Sequence, residues 1–199
     1  MAQGSGGRRV RTAPGGVRNI RPAYIVAAGL ILAVIAGFIV VLVISQGQDG
    51  AVSGPEETEF YEVASREHVP GEVEYEQDPP VGGPHNAAWQ NCGYYPEPVP
   101  SQHAVHSLEH GAVWVTYQEG LPEDQVSTLQ DLANSQTFVL VSPYPDLSAP
   151  VVASAWGYQL QLDSADDPRL DEFIQSYRLG PQTPEPGAPC TNGVGQPGA

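Results

Sequence analysis

An unbroken apolar segment, residues 23–44, constrains the fold of this chain more than any other feature of its sequence. The segment has 22 residues and contains no charged or strongly polar side chain. As a helix it would be about 33 Å long and would cross a hydrocarbon core of about 30 Å. A cleavable signal peptide has a shorter apolar core, of about 7–15 residues, followed by a small-residue cleavage site. We therefore predict one uncleaved transmembrane helix.

Charge is distributed unevenly on the two sides of this segment. Five arginines and no acidic residue precede it, whereas three arginines and 23 acidic residues follow it, a formal charge of −20. Basic flanks stay in the cytoplasm, so we predict a single-pass plasma-membrane protein with its N-terminus inside and its C-terminal domain outside. The predicted organisation is a cytoplasmic basic tail at residues 1–22, the transmembrane helix at 23–44, a linker at 45–59, an extracytoplasmic domain at 60–180 and a Pro/Gly-rich tail at 181–199.

The acidic balance of the outer part excludes one large class of function. The chain contains no lysine, and nucleic-acid phosphates require lysine or arginine. The same deficit argues against adhesion to an anionic bilayer surface. Solubility is the simple explanation for such an acidic domain, and attraction of cations is the alternative. We expect no nucleic-acid partner.

Small side chains recur along one face of the predicted transmembrane helix, at Gly29, Ala33 and Gly37. Small residues four apart let two membrane helices approach closely. This face therefore predicts self-association or a helix–helix partner in the membrane. The alternative is that glycine and alanine are simply common in membrane helices.

The two cysteines, Cys92 and Cys190, both follow the membrane segment and fall on its oxidising side. An even number of cysteines in that compartment usually indicates a disulfide. A bridge between them would close a loop of about 100 residues, worth up to about 4–5 kcal/mol in the chain-entropy treatment, and would tie the tail to the domain. The alternative is that Cys92 is a thiolate metal ligand beside the histidines.

The apolar patterns of the outer domain predict an α+β fold with a mainly antiparallel sheet and two helices. Strands are predicted at residues 112–118, 137–141 and 151–162, with a further strand at 72–76, and helices are predicted to start near residues 121 and 166. The order β-α-β-β-α is most of a ferredoxin-like unit. We expect the second and third of these strands, at 137–141 and 151–162, to form a hairpin.

All five histidines lie between His68 and His110. His106 and His110 are four residues apart, so on a helical turn they share one face and can reach one metal ion. A third ligand can come from His85 on a proline-bounded loop, or from His103 or Glu109. The alternative is that these histidines only form hydrogen bonds within the fold. We expect His68 and His103 to be exposed loop residues.

The donor set narrows the choice of metal. Two or three histidines suit Zn, Cu(II) or Fe(II) better than Ca or Mg. The only methionine is Met1, so the thioether ligands that hold Cu(I) are missing. The sequence therefore predicts Zn or Cu(II), with His85, His106, Glu109 and His110 as the candidate ligands.

A catalytic interpretation of the same residues is weaker. His106 to His110 match H-x-x-E-H, in which inverted zinc proteases bind zinc through both histidines and use the glutamate as general base. That motif needs a long helix and an acidic ligand from a second helix, whereas Gly111 and a predicted strand leave about one helical turn here. The downstream acid at a plausible distance, Glu185, lies in the Pro-rich tail. We do not expect an enzyme.

Five stretches carry a family resemblance: P-P-V-G-G-P-H ending at His85, Trp89, C-G-Y-Y from Cys92, V-H-S-L-E-H-G-A-V-W-V-T-Y from Val105, and P-E-P-G-A-P-C ending at Cys190. Together they closely resemble the bacterial, mainly actinobacterial, membrane-anchored family filed as domain of unknown function 3105. The resemblance covers roughly residues 60–190. It implies a short basic tail, one membrane span and an outer domain, and it implies almost nothing about activity. It places these residues in the family's hallmark segments: His85, Cys92, His106, Glu109 and His110.

Three classes of function follow from these residues. The first is a membrane-anchored extracytoplasmic module that binds or handles Zn or Cu through its histidines. The second is a structural or interaction module of a membrane complex, without a metal. The third, least expected, is a metallohydrolase that uses H-x-x-E-H.

Overall fold

The structure is a computed structural model that describes residues 53–198, together with residues 31, 34 and 35. The chain divides into two compact units, Met1–Asp49 and Gly50–Ala199.

No helix within the described residues is long and apolar enough to cross a membrane. The transmembrane helix predicted at residues 23–44 lies outside the described residues, except for the helical residues Ile31, Val34 and Ile35. Gly29, Ala33 and Gly37 also lie outside them, as does the predicted basic tail. The predictions for the span and its small-residue face therefore stay predictions.

The described domain contains a six-stranded sheet and three helices, which confirms the α+β class. The strands are β1 (Glu59–Phe60), β2 (Gly93–Tyr94), β3 (Val113–Tyr117), β4 (Val139–Pro143), β5 (Val151–Ala155) and β6 (Tyr158–Leu162). The helices are α1 (Ser101–Glu109), α2 (Glu123–Ser135) and α3 (Pro168–Tyr177). The prediction of two helices missed α1 as a full helix.

The strands are ordered β1-β6-β5-β3-β4-β2 across the sheet. β3 pairs in parallel with β4 through the α2 crossover, and β2 also pairs in parallel with β4. The pairs β3–β5, β5–β6 and β1–β6 are antiparallel. The sheet is therefore mixed, with antiparallel pairs in the majority.

The predicted ferredoxin-like arrangement is wrong in its pairing. After β4 the chain returns across the sheet, and β5 pairs with β3 instead of forming a hairpin with β4. All five residues of β3 are buried, so this strand takes a partner on each side. The segment at 151–162 is two strands, because Trp156 and Gly157 form a turn between β5 and β6. Residues 72–76 form no strand.

Helices cover both faces of the sheet. One face packs against α2 and α3, with Leu129, Phe173 and Ile174 in its core. The other face carries Trp114 and Leu140 and packs against α1. Helix α1 is therefore held against a buried surface, and its position fixes the histidines that it carries.

Helix α1 is longer than the single turn predicted from the sequence. It spans nine residues, because Ala104, Val105 and Leu108 form an apolar stripe that is fully buried against the sheet. The helix ends at Glu109, and after the C-cap His110 the chain turns away at Gly111, whose φ of +104° is a conformation that glycine adopts readily. The next residue, Ala112, leads directly into β3.

The C-terminal tail lies along the segment that precedes α1. Cys92 and Cys190 form a disulfide, which confirms the predicted pairing. The amide of Asn91 donates to Val194 O at 2.9 Å, and the amide of Val194 donates to Trp89 O at 2.9 Å. The tail is thus fastened by backbone hydrogen bonds as well as by the covalent bridge.

Candidate metal centre

Three histidines and one glutamate converge beside the C-terminal half of α1. Ligand atoms of His68, His85, His106 and Glu109 all lie within 4.8 Å of one another. Oε2 of Glu109 is 3.0 Å from Nε2 of His85 and 3.7 Å from Nε2 of His68. Two atoms bound to one tetrahedral zinc at about 2.0–2.1 Å lie about 3.3–3.4 Å apart. The cluster therefore has the dimensions of a single metal site, slightly expanded.

Two parts of the fold bring these side chains together. His106 and Glu109 are three residues apart on α1, so they project from one face of the helix. His68 and His85 are neighbours in an isolated parallel β-bridge, in which the amide of Val69 donates to His85 O at 2.8 Å. The loop after His85 is attached to α1, because the amide of Asn86 donates to Gln102 O at 3.1 Å.

Backbone carbonyls orient the two buried histidines of the cluster. Nδ1 of His85 donates to Gly83 O at 2.8 Å, and Nδ1 of His106 donates to Asn86 O at 2.7 Å. A carbonyl oxygen can only accept, so these contacts assign the proton to Nδ1 and leave Nε2 for the cluster. Histidines that bind metals almost always donate their other ring N–H in this way.

His85 and Glu109 must share a proton when no metal is bound. Nε2 of His85 faces the Glu109 carboxyl group at 3.0 Å while Nδ1 already donates to a carbonyl, so both ring nitrogens face acceptors. A hydrogen bond between Nε2 and Oε2 then requires one proton between them. Within the described residues, the ion pairs of Glu109 are both to histidines, His68 and His85. A metal cation at this point would replace that proton and neutralise the buried carboxylate.

The environment keeps His106 in the neutral form that binds metals. Burial lowers its pKa to about 4, and the neighbouring His110, His85 and His68 rings lower it further, against the opposing effect of its hydrogen bond to Asn86. The ring is therefore uncharged at neutral pH, with its Nε2 lone pair directed away from the backbone.

The four side chains differ sharply in exposure. His85, His106 and Glu109 are 0 %, 4 % and 2 % exposed, whereas the side chain of His68 is 48 % exposed. The exposure expected for His68 is found, yet its ring stacks on His106 with the centroids 4.8 Å apart. Its place in the cluster was missed because a long-range β-bridge creates it, and no local sequence pattern signals such a bridge.

His110 and His103 lie on or next to α1 but outside this group of four. His110 forms the C-cap of α1 and donates from Nδ1 to Pro189 O at 2.7 Å. Its ring is 4.5 Å from that of His106, and its Nε2 is 4.0 Å from Oε2 of Glu185. His103 is half-buried within α1 and donates to Ala88 O at 2.5 Å, so the expectation of an exposed loop position for it is wrong.

The disulfide removes one of the alternatives considered for Cys92. Both cysteines are bonded to each other, so Cys92 is not a thiolate ligand. The disulfide lies close to the histidines through the tail, because Pro189 precedes Cys190 and accepts from His110.

The zinc-protease pattern is present in sequence but its geometry is different here. The helix spans nine residues, contrary to the prediction of a single turn, with His106 in its last turn and His110 at its C-cap. However, Glu109 itself lies in the group with His68 and His85, where its carboxylate is one of four converging candidate ligand groups. Glu185 contacts this region chiefly through its amide, which donates to Glu109 O at 3.0 Å, and its side chain is 53 % exposed.

The fold and the site together define a small α+β domain with one disulfide and a buried histidine–glutamate cluster. A family model described as "Protein of unknown function (DUF3105)" matches residues 68–192, so the chain belongs to that family, which confirms the family assignment made from the sequence. The matched range begins at His68 and includes the whole cluster and both cysteines. No curated protein and no solved structure matches the chain.

Proposed function

We propose that this protein binds one Zn(II) or Cu(II) ion through His68, His85, His106 and Glu109. The observation that carries the proposal is the convergence of four ligand atoms within 4.8 Å, three of them in nearly fully buried residues. Burying so many polar groups together is costly unless each has a partner. A cation in their midst satisfies all four at once.

The ligand chemistry supports a transition metal of intermediate softness. Imidazole nitrogen and one carboxylate suit Zn(II) and Cu(II), whereas Ca(II) and Mg(II) prefer shells made of oxygen atoms. Neutral His106 needs no deprotonation at pH 7 before it binds. The four protein groups would complete a tetrahedral shell, which is typical of a binding or structural site and not of a catalytic one.

We further propose that the domain functions outside the cytoplasm, anchored by residues 23–44. The uncharged apolar segment and the arginines before it support this placement. The disulfide between Cys92 and Cys190 supports an oxidising compartment. The protein would then hold its metal on the outer side of the plasma membrane.

One observation favours a second candidate function, a structural module without a metal. His85 and Glu109 satisfy each other through a shared proton, and the rings of His68, His85 and His106 pack against one another. In this alternative the cluster serves only to fasten the loop of His85 to α1.

Metal content separates the two candidates. The full chain, purified in detergent without a histidine tag, is analysed for bound elements and then titrated with Zn(II) and Cu(II). We expect one equivalent of metal in the wild type, and a rise in melting temperature of roughly 5–10 °C at a hundredfold excess over Kd. His106→Ala and Glu109→Ala should lose both effects. His103→Ala is the matched control, because His103 lies on the same helix with a similar Nδ1 hydrogen bond but outside the cluster.

A wild type that binds neither metal, with cluster variants that are merely less stable, would establish the structural module instead. His110→Ala tests the ligand that the sequence suggested. Retention of the metal in this variant is expected, because His110 lies outside the group of converging ligand atoms.

A further inference from the structure

We infer that His68 is the exchangeable ligand of this site, through which the bound metal is handed to an acceptor that offers nitrogen or sulfur donors. The inference rests on the proposed function, because it requires that the cluster bind a metal. The metal would then enter and leave the site on the side of His68.

The four side chains of the cluster are not equally buried. Three ligands are 4 % exposed or less, so no solvent-borne donor can approach the metal past them. The His68 side chain is 48 % exposed, so the position that it occupies can be reached from solvent. An incoming ligand must therefore replace His68 before any other.

The imidazole rings of the cluster differ in the hydrogen bonds made by Nδ1. Nδ1 of His85 and Nδ1 of His106 are each fixed by a backbone carbonyl. Nδ1 of His68 makes no hydrogen bond with any residue of the described part of the chain, and its ring is held by ring contacts with His85 and His106. A ligand without such an orienting partner loses fewer interactions when it rotates away.

The backbone of His68 is fixed independently of its side chain. The β-bridge to His85 fixes the main chain on both sides of it, through the amides of Val69 and His85. The imidazole can therefore leave by rotation of its own side chain, with no opening of the fold. The site can release its metal without unfolding, and His68 stays within reach to bind again.

The exchange conserves charge and electrons. A donor atom of the acceptor forms a bond to the metal as the bond from Nε2 of His68 breaks, any proton on that donor passes to the freed Nε2, and the oxidation state of the metal does not change. His85, His106 and Glu109 keep the metal in place during this step, so it is never free in solution. Transfer is completed when further donors of the acceptor displace these three.

Transfer kinetics test this inference. Full-length protein loaded with Zn(II) is mixed with increasing concentrations of a pyridylazo resorcinol chelator, and the absorbance of the zinc–chelator complex is followed. For the wild type we expect a transfer rate that rises in proportion to chelator concentration, because the chelator attacks at the His68 position. His68→Ala should still bind one equivalent of zinc but transfer it at least tenfold faster, and His103→Ala should behave as the wild type.

Four results would overturn the inference. His68→Ala with wild-type transfer rates would show that His68 is not a ligand. Complete loss of zinc from His68→Ala would show that His68 is indispensable and cannot be the ligand that exchanges. A wild-type rate independent of chelator concentration would show that the metal leaves before the acceptor arrives. A wild type that takes up no metal at all would overturn the proposed function as well, which separates the two failures.

Discussion

At the scale of single residues, His106 illustrates how burial prepares a histidine for its role. Its backbone partner selects the tautomer, and its burial holds the pKa at about 4, far below the ordinary value of 6.5. In the folded chain the ring is therefore uncharged, because its buried surroundings disfavour the protonated form. The free energy of unfolding changes only when the pH is low enough to protonate the ring in the unfolded chain.

Acidification should therefore destabilise the metal-free protein through His106. Between pH 6.5 and about 4 the unfolded chain binds a proton at this residue and the folded chain does not, so the free energy of unfolding falls as the pH falls. We expect a loss of about 1–3 kcal/mol over this range that is absent in His106→Gln. Urea denaturation at pH 7 and pH 4.5, with a chelator present, measures it. Equal pH dependence in the two proteins would contradict the lowered pKa.

At the scale of secondary-structure elements, the junction between α1 and β3 controls the site. Gly111 follows the C-cap of the helix, its carbonyl accepts from the amide of Leu179 at 2.9 Å, and β3 begins two residues later. A Cβ at Gly111 would lie 2.8 Å from Cδ2 and 3.1 Å from Cα of Leu179. The junction therefore demands glycine for two separate reasons, its left-handed φ and the close approach of Leu179.

The variants Gly111→Ala and Gly120→Ala separate these reasons. Both glycines have positive φ, +104° and +89°, but a Cβ at Gly120 would meet nothing within 4 Å. We expect each variant to lose about 1–3 kcal/mol from backbone strain, with a clearly larger loss at Gly111 because Leu179 must move. Urea denaturation of the two variants side by side gives the difference. Equal losses would mean that Leu179 accommodates the methyl group freely.

Local patterns predicted those elements whose signals are local. The start of α3 follows from Asp167 and Pro168, and the structure shows the Asp167 side chain accepting from the amide of Arg169. The sheet order was predicted wrongly, because β5 pairs with the edge of β3 that β4 leaves free after the α2 crossover, and no local sequence pattern indicates that choice. The length of α1 was underestimated, because the helix is stabilised by packing of its apolar stripe against Trp114 and Leu140, which come later in the chain.

The residues of the candidate site also divide into those with a local sequence signal and those brought together only by long-range contacts. His106 and Glu109 could be predicted because they lie three residues apart in one motif. His85 was predicted from its proline-bounded loop and the family resemblance. His68 could not be predicted, because only the β-bridge with His85 brings it to α1. His110 shares the helical spacing but is drawn towards Pro189 by a tail that lies 79 residues further along the chain.

At the scale of the whole molecule, the tail acts as a clamp on the C-terminal end of α1. The amides of Glu185 and Gly187 donate to the carbonyls of Glu109 and His110, which the helix itself leaves without partners. The disulfide then fixes this tail to Cys92, in the segment that precedes α1. The clamp supplies hydrogen bonds and no ligand of the group of four.

Removal of the disulfide should thus weaken the fold more than the site. We expect the double variant Cys92→Ser/Cys190→Ser to lose about 2–5 kcal/mol in the free energy of unfolding, measured by urea denaturation. Below its unfolding transition it should still bind one equivalent of metal. Loss of metal from the folded variant would show that the disulfide also sets the geometry of the ligands, and an unchanged midpoint would show that the disulfide contributes nothing to stability.

The position of Cys190 also bears on the order of events during biogenesis. Chains emerge from the ribosome N-terminus first, so Cys92 precedes its partner by 98 residues of synthesis. The four residues of the cluster, from His68 to Glu109, are all made before the last strand, the last helix and the clamp. An exported chain would therefore present its histidines to the surrounding ions before its bridge can close. If the cluster binds a metal as proposed, all four of its residues are available to bind that metal before the disulfide can form.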